Sequence, residues 1–308
     1  MSSFLELAQK FNNFYLNNIK QEKCYAFIVN GFQVGLVQES IISELSRYPN
    51  IFIINNKNIV LNPIFKNYEE RSTQVEKVLR DMKEKRLFVT LKGWRDECYE
   101  VRLMFGDQPQ LKMDRSATCL FGICNYGVDI NGFVKHPTKG LCIWLQQRSF
   151  TKQTWPGKWN NMVAGGLSVG NSVLETAYKE GEEEASLSSD LLKNLKSTGT
   201  VSFFYESERG LFPDTEFVFD LELPIDFIPF NRDNEVEKFE LLTIDETITK
   251  LLSSDFKTTS CPVVLDFLVR HAIITPENEK SFPELVELLH VPLQLFYSKK
   301  DIELTKSG

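Results

Sequence analysis

Residues 165–187 read GGLSVGNSVLETAYKEGEEEASL, a glycine-containing loop followed by a helical segment that carries Glu180, Glu183 and Glu184. Spacings of three and four residues place these carboxylates on one arc of an α-helix. Like charges at this distance repel, and a hard divalent cation would offset the repulsion. Mg²⁺ in particular is usually held by one or two carboxylates and the phosphates of a substrate. The segment therefore predicts a metal-dependent attack on a diphosphate.

The helix is predicted to begin just after Gly170 and Asn171. Ser172 and Glu175 have the three-residue spacing of a capping box, which closes the first turn of a helix. Small and apolar side chains form an arc beside the carboxylates, and this face is expected to pack on a sheet. The members of the arc are Leu174, Ala177, Tyr178, Gly181 and Ala185.

This segment resembles the Nudix box. In that pattern a glycine is followed by five residues, Glu, seven residues, Arg-Glu, an aliphatic residue, any residue, Glu-Glu, any residue, Gly and an aliphatic residue. The matching positions are Gly165, Glu180, Glu183, Glu184 and Leu187. Four positions differ, namely Asn171 for the first Glu, Lys179 for the Arg, Gly181 for the aliphatic residue and Ser186 for the Gly. The resemblance implies Mg²⁺ or Mn²⁺ at Glu180, Glu183 and Glu184.

The stretch before the box, LCIWLQQRSFTKQTWPGKWNNMVAGG at 141–166, resembles the substrate-side strand and loop of the Nudix branch that includes isopentenyl-diphosphate isomerases. In those isomerases an Arg and a Lys of this pattern bind the diphosphate, which implies the same role for Arg148 and Lys152. The isomerase reaction itself is not expected. Ala164 and Gly166 stand where those enzymes have a reactive Cys and a metal-binding His.

The chain as a whole resembles plant and fungal Nudix proteins with an extra N-terminal domain, often described as related to thiamin pyrophosphokinase. The shared pattern includes DRSATCLFGI at 114–123, WPGKW at 155–159 and DFLVRH at 266–271. The resemblance implies that oxo- or oxythiamin diphosphate is hydrolysed to the monophosphate and phosphate. The expected fold class is α+β, with a C-terminal Nudix α/β/α sandwich around a mixed sheet, preceded by a smaller α+β domain.

Several residues are candidates for substrate contacts or catalysis. Glu183 or Glu184 would orient or deprotonate the attacking water, and the sequence does not distinguish them. Gly165 and Gly166 belong to the substrate loop of the resembling families. Trp155 and Trp159 are either core residues or a wall that stacks on an aromatic heterocycle, where a thiazolium would add a cation–π attraction.

Two isolated acids, Glu216 and Glu235, are expected at the solvent-exposed surface. Glu235 is also a further candidate, because in the resembling families an acid near this position can approach the metal. The three histidines, His136, His271 and His290, are dispersed and are interpreted as structural.

Composition excludes several functions. The chain has 308 residues, 42% of them hydrophobic, which is enough for two domains with ordinary cores. A net charge of −7 argues against sequence-independent nucleic-acid binding. The six cysteines contain no C-x-x-C pair and are expected to be reduced and buried. Without an apolar stretch of about 20 residues or a leader-like h-region, a cytoplasmic address and no membrane partner are expected.

A domain boundary is predicted near 106–114, where GDQPQLKMD is polar. It would separate an N-terminal α+β domain at 1–110, of unassigned function, from a Nudix domain at 111–308. In the first domain we expect a helix from the start, a hairpin at 24–37 turning at Asn30-Gly31, helices at 39–47 and 72–86, and strands at 51–61 and 87–103. In the second we expect strands at 118–134, 141–147, 199–205 and 216–223, and helices at 244–253, 261–271 and 283–290.

Two other functions remain open at this point. Asn171 and Lys179 favour a Nudix module that binds a diphosphate without turnover, whereas the three intact glutamates favour an enzyme. Hydrolysis of another nucleoside diphosphate derivative, such as a diphosphate sugar, is the second alternative. In each case the partner is a small-molecule diphosphate.

Overall fold

The computed structural model describes residues 2–232 and 234–299. The helices are α1 (Ser3–Phe11), α2 (Asn18–Glu22), α3 (Glu39–Leu45), α4 (Tyr68–Glu84), α5 (Val173–Ala185), α6 (Ser189–Leu192), α7 (Ile244–Leu251), α8 (Cys261–Arg270) and α9 (Phe282–Leu289). The strands are β1 (Tyr25–Val29), β2 (Phe32–Val37), β3 (Phe52–Asn55), β4 (Asn58–Leu61), β5 (Cys98–Val101), β6 (Leu111–Asp114), β7 (Asn125–His136), β8 (Gly140–Arg148), β9 (Trp159–Asn161), β10 (Val163–Gly166), β11 (Lys196–Ser207), β12 (Gly210–Glu222), β13 (Val236–Thr243) and β14 (Ser298–Lys299). This mixture confirms the predicted α+β class.

Two compact units divide the chain. The first unit comprises the described residues of 1–13, 126–205 and 214–291, and the second comprises those of 14–125, 206–213 and 292–308. The sequence predicts a single division at residue 110. The structure instead assigns α1 to the first unit and residues 111–125 to the second.

Helix α1 belongs to the first unit because its apolar face is buried there. Ala8 and Phe11 are fully buried in a cluster that includes Phe267 of α8 and Leu285 of α9. At the end of the helix, the Asn12 amide donates to the carbonyl of Leu288 over 2.7 Å and accepts from the backbone nitrogen of Phe204 over 3.0 Å. Residues 3–11 are therefore part of the core that surrounds the sheet of this unit.

Residues 111–125 belong to the second unit because β6 pairs with β5, with Leu111 opposite Val101. Leu111 and Met113 are buried in a cluster with Val75 and Leu79 of α4. The main sheet of this unit has the order β14-β2-β1-β4-β3, in which β1 and β4 are parallel. Residues 106–114 are polar in composition and were expected to be a domain boundary, but residues 111–114 form strand β6.

The first unit is a sandwich around a seven-stranded sheet. The main strands have the order β11-β12-β7-β8-β13, while β10 pairs with β7 and β9 pairs with β8. Successive side chains of each strand point to opposite faces of the sheet, so each face has its own hydrophobic core. Val128 and Ile130 face α5, whereas Phe133 and Leu145 face the cluster that contains α8. The predicted α/β/α sandwich is therefore present in this unit.

Several local predictions are confirmed or corrected. The hairpin turns at Asn30 and Gly31, with φ of 51° and 83°. Strands are predicted over 87–103, but Val89–Gly93 is a 3₁₀-helix and only β5 is extended. The sequence pattern places Leu174 on the buried face of its helix, but Leu174 is 52% exposed, because it lies in the first turn.

The cysteines are free thiols, of which Cys98 and Cys124 are half-buried and the other four are buried. The expectation that all six are buried is therefore wrong for two of them. No helix within residues 2–232 and 234–299 combines the length and the apolar character that crossing a membrane requires.

Candidate active site

Helix α5 brings the carboxylates of the box to the sheet. Ser172 caps the helix and forms the predicted capping box with Glu175. Ala177 and Ala185 are fully buried against Val128 and Ile130 of β7. Because small residues allow close packing, the neighbouring turn of the helix lies directly on β10.

Glu184 is anchored in this interface. It is only 2% exposed, and its Oε2 accepts hydrogen bonds from the backbone nitrogen of Ala164 over 3.0 Å and from Gln146 Nε2 over 3.1 Å. Burial, with smaller contributions from the charges of Glu180 and Glu235, raises the pKa of Glu184 to about 8 against the opposing Ala164 hydrogen bond. A buried carboxylate held in this way is a candidate base or cation ligand.

Glu180 lies against Gly165. A Cβ at Gly165 would collide with the side chain of Glu180, so glycine at this position makes room for the carboxylate. Burial raises the pKa of Glu180, with further contributions from Glu183 and Glu235, while Lys179 lowers it. Glu180 and Glu184 thus share one edge of β10.

Glu183 is placed differently from the other two box glutamates. Its side chain is 48% exposed, and its Oε2 lies 3.7 Å from Lys179 Nζ, which is also 3.5 Å from Glu180 Oε1. Lys179, which stands for the Arg of the box, therefore lies close to both carboxylates as a point charge.

The two predicted phosphate-binding cations lie beside the carboxylates. Arg148 is buried, its Nη2 donates to the carbonyl of Thr154 over 3.1 Å, and its charge lowers the pKa of Glu184. The Lys152 ammonium forms an ion pair with Glu235. Glu235, expected at the surface or near the metal, raises the pKa values of both Glu180 and Glu184. The charges of Arg148 and Glu235 therefore both act on Glu184, and Lys152 is paired with Glu235.

The two tryptophans of the WPGKW loop have different environments. Trp159 is 4% exposed in β9, packs in the core cluster, and has Lys250 Nζ 4.2 Å from its ring centroid. Trp155 is half-buried, with its ring 6.3 Å from that of Tyr205. Its φ of +54° is unusual for a bulky residue and is typical of strained functional loops. The structure therefore favours the core interpretation for Trp159 and leaves Trp155 as the stacking candidate.

The two glycines of the substrate loop lie on β10, where Gly165 pairs with Val128 and Gly166 with Gly127. The Cβ of Ala164 and any side chain at Gly166 would point away from α5, because alternate residues of a strand face opposite sides. Gly165 alone faces the carboxylates of the helix.

Three charged residues of this region were missed or misread. Glu216, expected at the surface, lies against Gly127, and its pKa is raised well above the ordinary value by burial. Asp129 and Lys257 are its electrostatic partners. A signal for Asp129 existed, since this acid stands between the apolar residues Val128 and Ile130. Sequence offers no comparable signal for Lys257.

A divalent cation fits the oxygen donors of α5. Within the described ranges, no three His, Cys, Asp or Glu side chains form a group that could hold a metal ion. Glu180 and Glu184 nevertheless supply hard oxygen ligands, and burial and mutual repulsion disfavour their charged forms. A cation would remove that repulsion, so the chemistry of the donors is that of a Mg²⁺ or Mn²⁺ site.

Comparisons with known protein families and relatives identify the two parts of the chain. Residues 3–125 match a domain of unknown function, DUF4743, and residues 126–260 match the NUDIX domain. The uncharacterized protein YJR142W of Saccharomyces cerevisiae is 32% identical, covering 94% of this chain and 90% of its own length. Nudix hydrolase 24, chloroplastic, of Arabidopsis thaliana is 33% identical, covering 82% of this chain and 69% of its own length.

A second plant relative, Nudix hydrolase 20, chloroplastic, of Arabidopsis thaliana, is 31% identical over 88% of this chain and 74% of its own length. Identity at this level over most of both chains extends well beyond the box. The chain belongs to the Nudix hydrolase family and is a pyrophosphohydrolase that combines a NUDIX domain with an N-terminal DUF4743 region.

Proposed function

We propose that this enzyme hydrolyses the diphosphate of thiamin-type substrates, such as oxo- and oxythiamin diphosphate, to the monophosphate and phosphate with Mg²⁺ or Mn²⁺. The observation that carries the reaction type is that Glu180 and Glu184 of α5 lie against β10, with raised pKa values and with Arg148 acting on Glu184. Carboxylates disfavoured in their charged form, beside a guanidinium, suit a cation bound together with a diphosphate.

Glu180 and Glu184 would hold the cation, with Glu183 as a third ligand from the same helix. When bound, the cation lowers the pKa of a coordinated water and neutralises negative charge on the phosphates. Glu183 is half exposed, and its carboxylate lies 3.7 Å from the ammonium of Lys179. Lys152 would exchange Glu235 for a phosphate oxygen.

The chemical step is attack of water on a phosphorus of the diphosphate. An oxygen–phosphorus bond forms, the bridging oxygen–phosphorus bond breaks, and the leaving oxygen departs on the monophosphate. Glu183 or Glu184 accepts the proton of the water, and the guanidinium of Arg148 stabilises the charge that develops on the phosphoryl oxygens. Glu184 is the better positioned of the two, because two hydrogen bonds fix its carboxylate.

The thiamin-type substrate is supported by an aromatic pair, formed by Trp155 on the loop that also carries Lys152 and by Tyr205 of β11. The ring of Trp155 is half-buried and can stack on a planar heterocycle. Oxidising the thiazolium removes its positive charge, so selection of damaged forms would depend on shape more than on a cation–π attraction. Resemblance to plant and fungal thiamin-related Nudix proteins adds to this support. The cytoplasmic address stays a prediction.

The proposal is tested by incubating the full chain with Mg²⁺ and a panel of diphosphates, and following product masses. The panel contains oxothiamin, oxythiamin and thiamin diphosphates, ADP-ribose and a nucleoside diphosphate sugar. We expect the monophosphates of the thiamin derivatives to accumulate fastest. If only ADP-ribose or the diphosphate sugar is cleaved, the thiamin assignment is wrong while the hydrolase assignment stands.

A further inference from the structure

Gln146 is a polar side chain in the buried interface between the sheet and α5. It lies in β8, opposite Phe239 of β13 on one side and Asn160 of β9 on the other. Trp144, two residues earlier and therefore on the same face of the strand, packs in the apolar core beneath α5. Only 1% of the Gln146 surface is exposed. A buried amide is costly unless it is hydrogen-bonded, so its partner indicates its role.

The partner of Gln146 is the last carboxylate of the box. Gln146 Nε2 donates to Glu184 Oε2 over 3.1 Å, and the backbone nitrogen of Ala164 donates to the same oxygen over 3.0 Å. A carboxylate oxygen has two lone-pair positions, so both positions of Oε2 are used. Glu184 Oε1 accepts no hydrogen bond from the residues that the structure describes. The protein therefore makes the two oxygens of Glu184 unequal.

This inequality limits how Glu184 can bind a cation. A carboxylate binds a metal ion through one of its oxygens or through both. Binding through both would require Oε2 to give up at least one of its two hydrogen bonds, and a buried N–H without an acceptor is costly. Oε1 alone has room for a cation. Its second lone-pair position can still accept a hydrogen bond from a water.

Binding through one oxygen distinguishes between divalent cations. Mg²⁺ demands near-ideal octahedral geometry with short bonds, and the narrow angle between the two oxygens of one carboxylate does not fit an octahedron. Mn²⁺ prefers the same octahedral oxygen sites. Ca²⁺ takes a larger and more flexible set of oxygens, in which a carboxylate can contribute both. A carboxylate limited to one oxygen therefore favours Mg²⁺ and Mn²⁺.

We propose that Gln146 is a positioning residue that limits Glu184 to binding the cation through one oxygen, and that it thereby selects Mg²⁺ and Mn²⁺ over Ca²⁺. Gln146 acts through Glu184 Oε2 and does not itself contact the cation. The other donor, Ala164, uses its backbone, so Gln146 is the side chain that sets this preference. The inference rests on the metal site of the proposed function and is independent of which diphosphate is cleaved.

The test measures cation binding without substrate, so that it needs no turnover. Mn²⁺ binding to the full chain is followed by electron paramagnetic resonance, with Ca²⁺ added as a competitor. Gln146→Met keeps the length of the side chain and removes the donor, and Gln294→Met, at an exposed position, is the matched control. We expect the wild type and the control to prefer Mn²⁺ to Ca²⁺ by about tenfold or more, and Gln146→Met to lose about tenfold of that preference.

Selectivity separates positioning from a merely structural role, because a loosened site would lose affinity for both cations alike. Crystals of the wild type soaked in Mn²⁺ add a direct observation that needs no variant. We expect the ion on Glu184 Oε1 alone, with Oε2 still accepting from Gln146 and Ala164.

Several results would overturn the inference. Ca²⁺ that binds the wild type as tightly as Mn²⁺, or an ion held by both oxygens of Glu184, does so even if Gln146→Met fails to fold. A folded Gln146→Met with the wild-type preference does so as well. Absence of Mn²⁺ binding to the wild type contradicts both the metal site and the inference. Failure to hydrolyse oxothiamin diphosphate contradicts only the proposed substrate, because the binding measurements contain none.

Discussion

Glu184 Oε2 lies 3.0 Å from the backbone nitrogen of Ala164, so a side chain of the Nudix helix is fixed to the strand that faces the substrate loop. The Gln146 amide adds a second hydrogen bond to the same oxygen. This geometry sets the orientation of the carboxylate without help from a ligand. It also places an acid where burial opposes its ionisation, which makes the stability of the chain depend on pH.

The first prediction concerns Glu184→Gln in metal-free buffer. The folded state retains the Glu184 proton up to about pH 8, whereas an unfolded carboxyl releases it near 4.5. The wild type therefore loses stability as the pH rises between these values, and the variant does not. At pH 8 with EDTA we expect Glu184→Gln to exceed the wild type in free energy of unfolding by about 4 kcal/mol, with the difference falling below about 1 kcal/mol near pH 5. Urea denaturation at both pH values measures it.

Glu182→Gln is the control for this experiment, because Glu182 belongs to the same helix but its side chain is 63% exposed. We expect this variant to follow the wild type at both pH values. A Glu184→Gln chain that is less stable than the wild type at pH 8 would mean that Glu184 is ionised and well compensated in the folded state.

The second prediction separates the two tryptophans. Trp155→Ala should raise KM for oxothiamin diphosphate by up to about tenfold, the value of a good aromatic contact, with little change in the melting temperature. Trp159→Ala should instead lower the free energy of unfolding by about 3–5 kcal/mol, because a buried ring is lost from the core. Steady-state kinetics and thermal denaturation of both variants measure the contrast, and equal effects on KM would contradict it.

The third prediction concerns the first helix. Phe11 is fully buried, with its ring 6.1 Å from that of Phe203, so Phe11→Ala should lower the free energy of unfolding by about 3–5 kcal/mol. Leu16→Ala, at a position that is 50% exposed, should change it by less than about 0.5 kcal/mol. A chain that begins near Met113 lacks α1 and also most of the second unit, so it should lose more stability than Phe11→Ala alone. If that chain has the stability of the full protein, α1 does not contribute to the core.

The fourth prediction concerns a buried ion pair. Asp220 accepts two hydrogen bonds from Arg270, over 2.5 and 3.0 Å, and a third contact of 3.0 Å joins it to His271 Nε2. Arg270→Met should destabilise the fold by about 3–5 kcal/mol, because it leaves the buried carboxylate without its main counter-charge. Adding Asp220→Leu should recover much of that loss. Failure of the double variant to recover stability would show that packing of the Arg270 side chain is the larger contribution.

Local signals were sufficient for much of the fold. Capping of α5 by Ser172 and the turn at Asn30-Gly31 depend on neighbours in the sequence, and both are confirmed. The placement of α1 could not be predicted, because Asn12 is tied to Leu288, a contact across 276 positions. The strand at 111–114 was hidden for a different reason, because its polar composition indicates a loop and only its pairing with β5 shows that it is extended.

The candidate site was predictable to the extent that it lies on one helix. The spacing of Glu180 and Glu184 follows from helical geometry, whereas the hydrogen bond from Gln146 depends on how β8 and α5 pack. Glu216 was misread because an isolated acid in a strand has no local feature that distinguishes a surface position from a partly buried one. That Asp129 and Glu216 meet follows only from the pairing of β12 with β7 in the folded sheet.

The most direct measurement is kcat/KM for oxothiamin diphosphate with Mg²⁺, compared among the wild type, Glu184→Gln and the Glu182→Gln control. We predict release of the monophosphate and phosphate by the wild type and the control, a loss of about 10²–10⁴ in Glu184→Gln, and no turnover in EDTA. Activity that persists in EDTA or in Glu184→Gln would contradict a metal-dependent reaction at the carboxylates of α5.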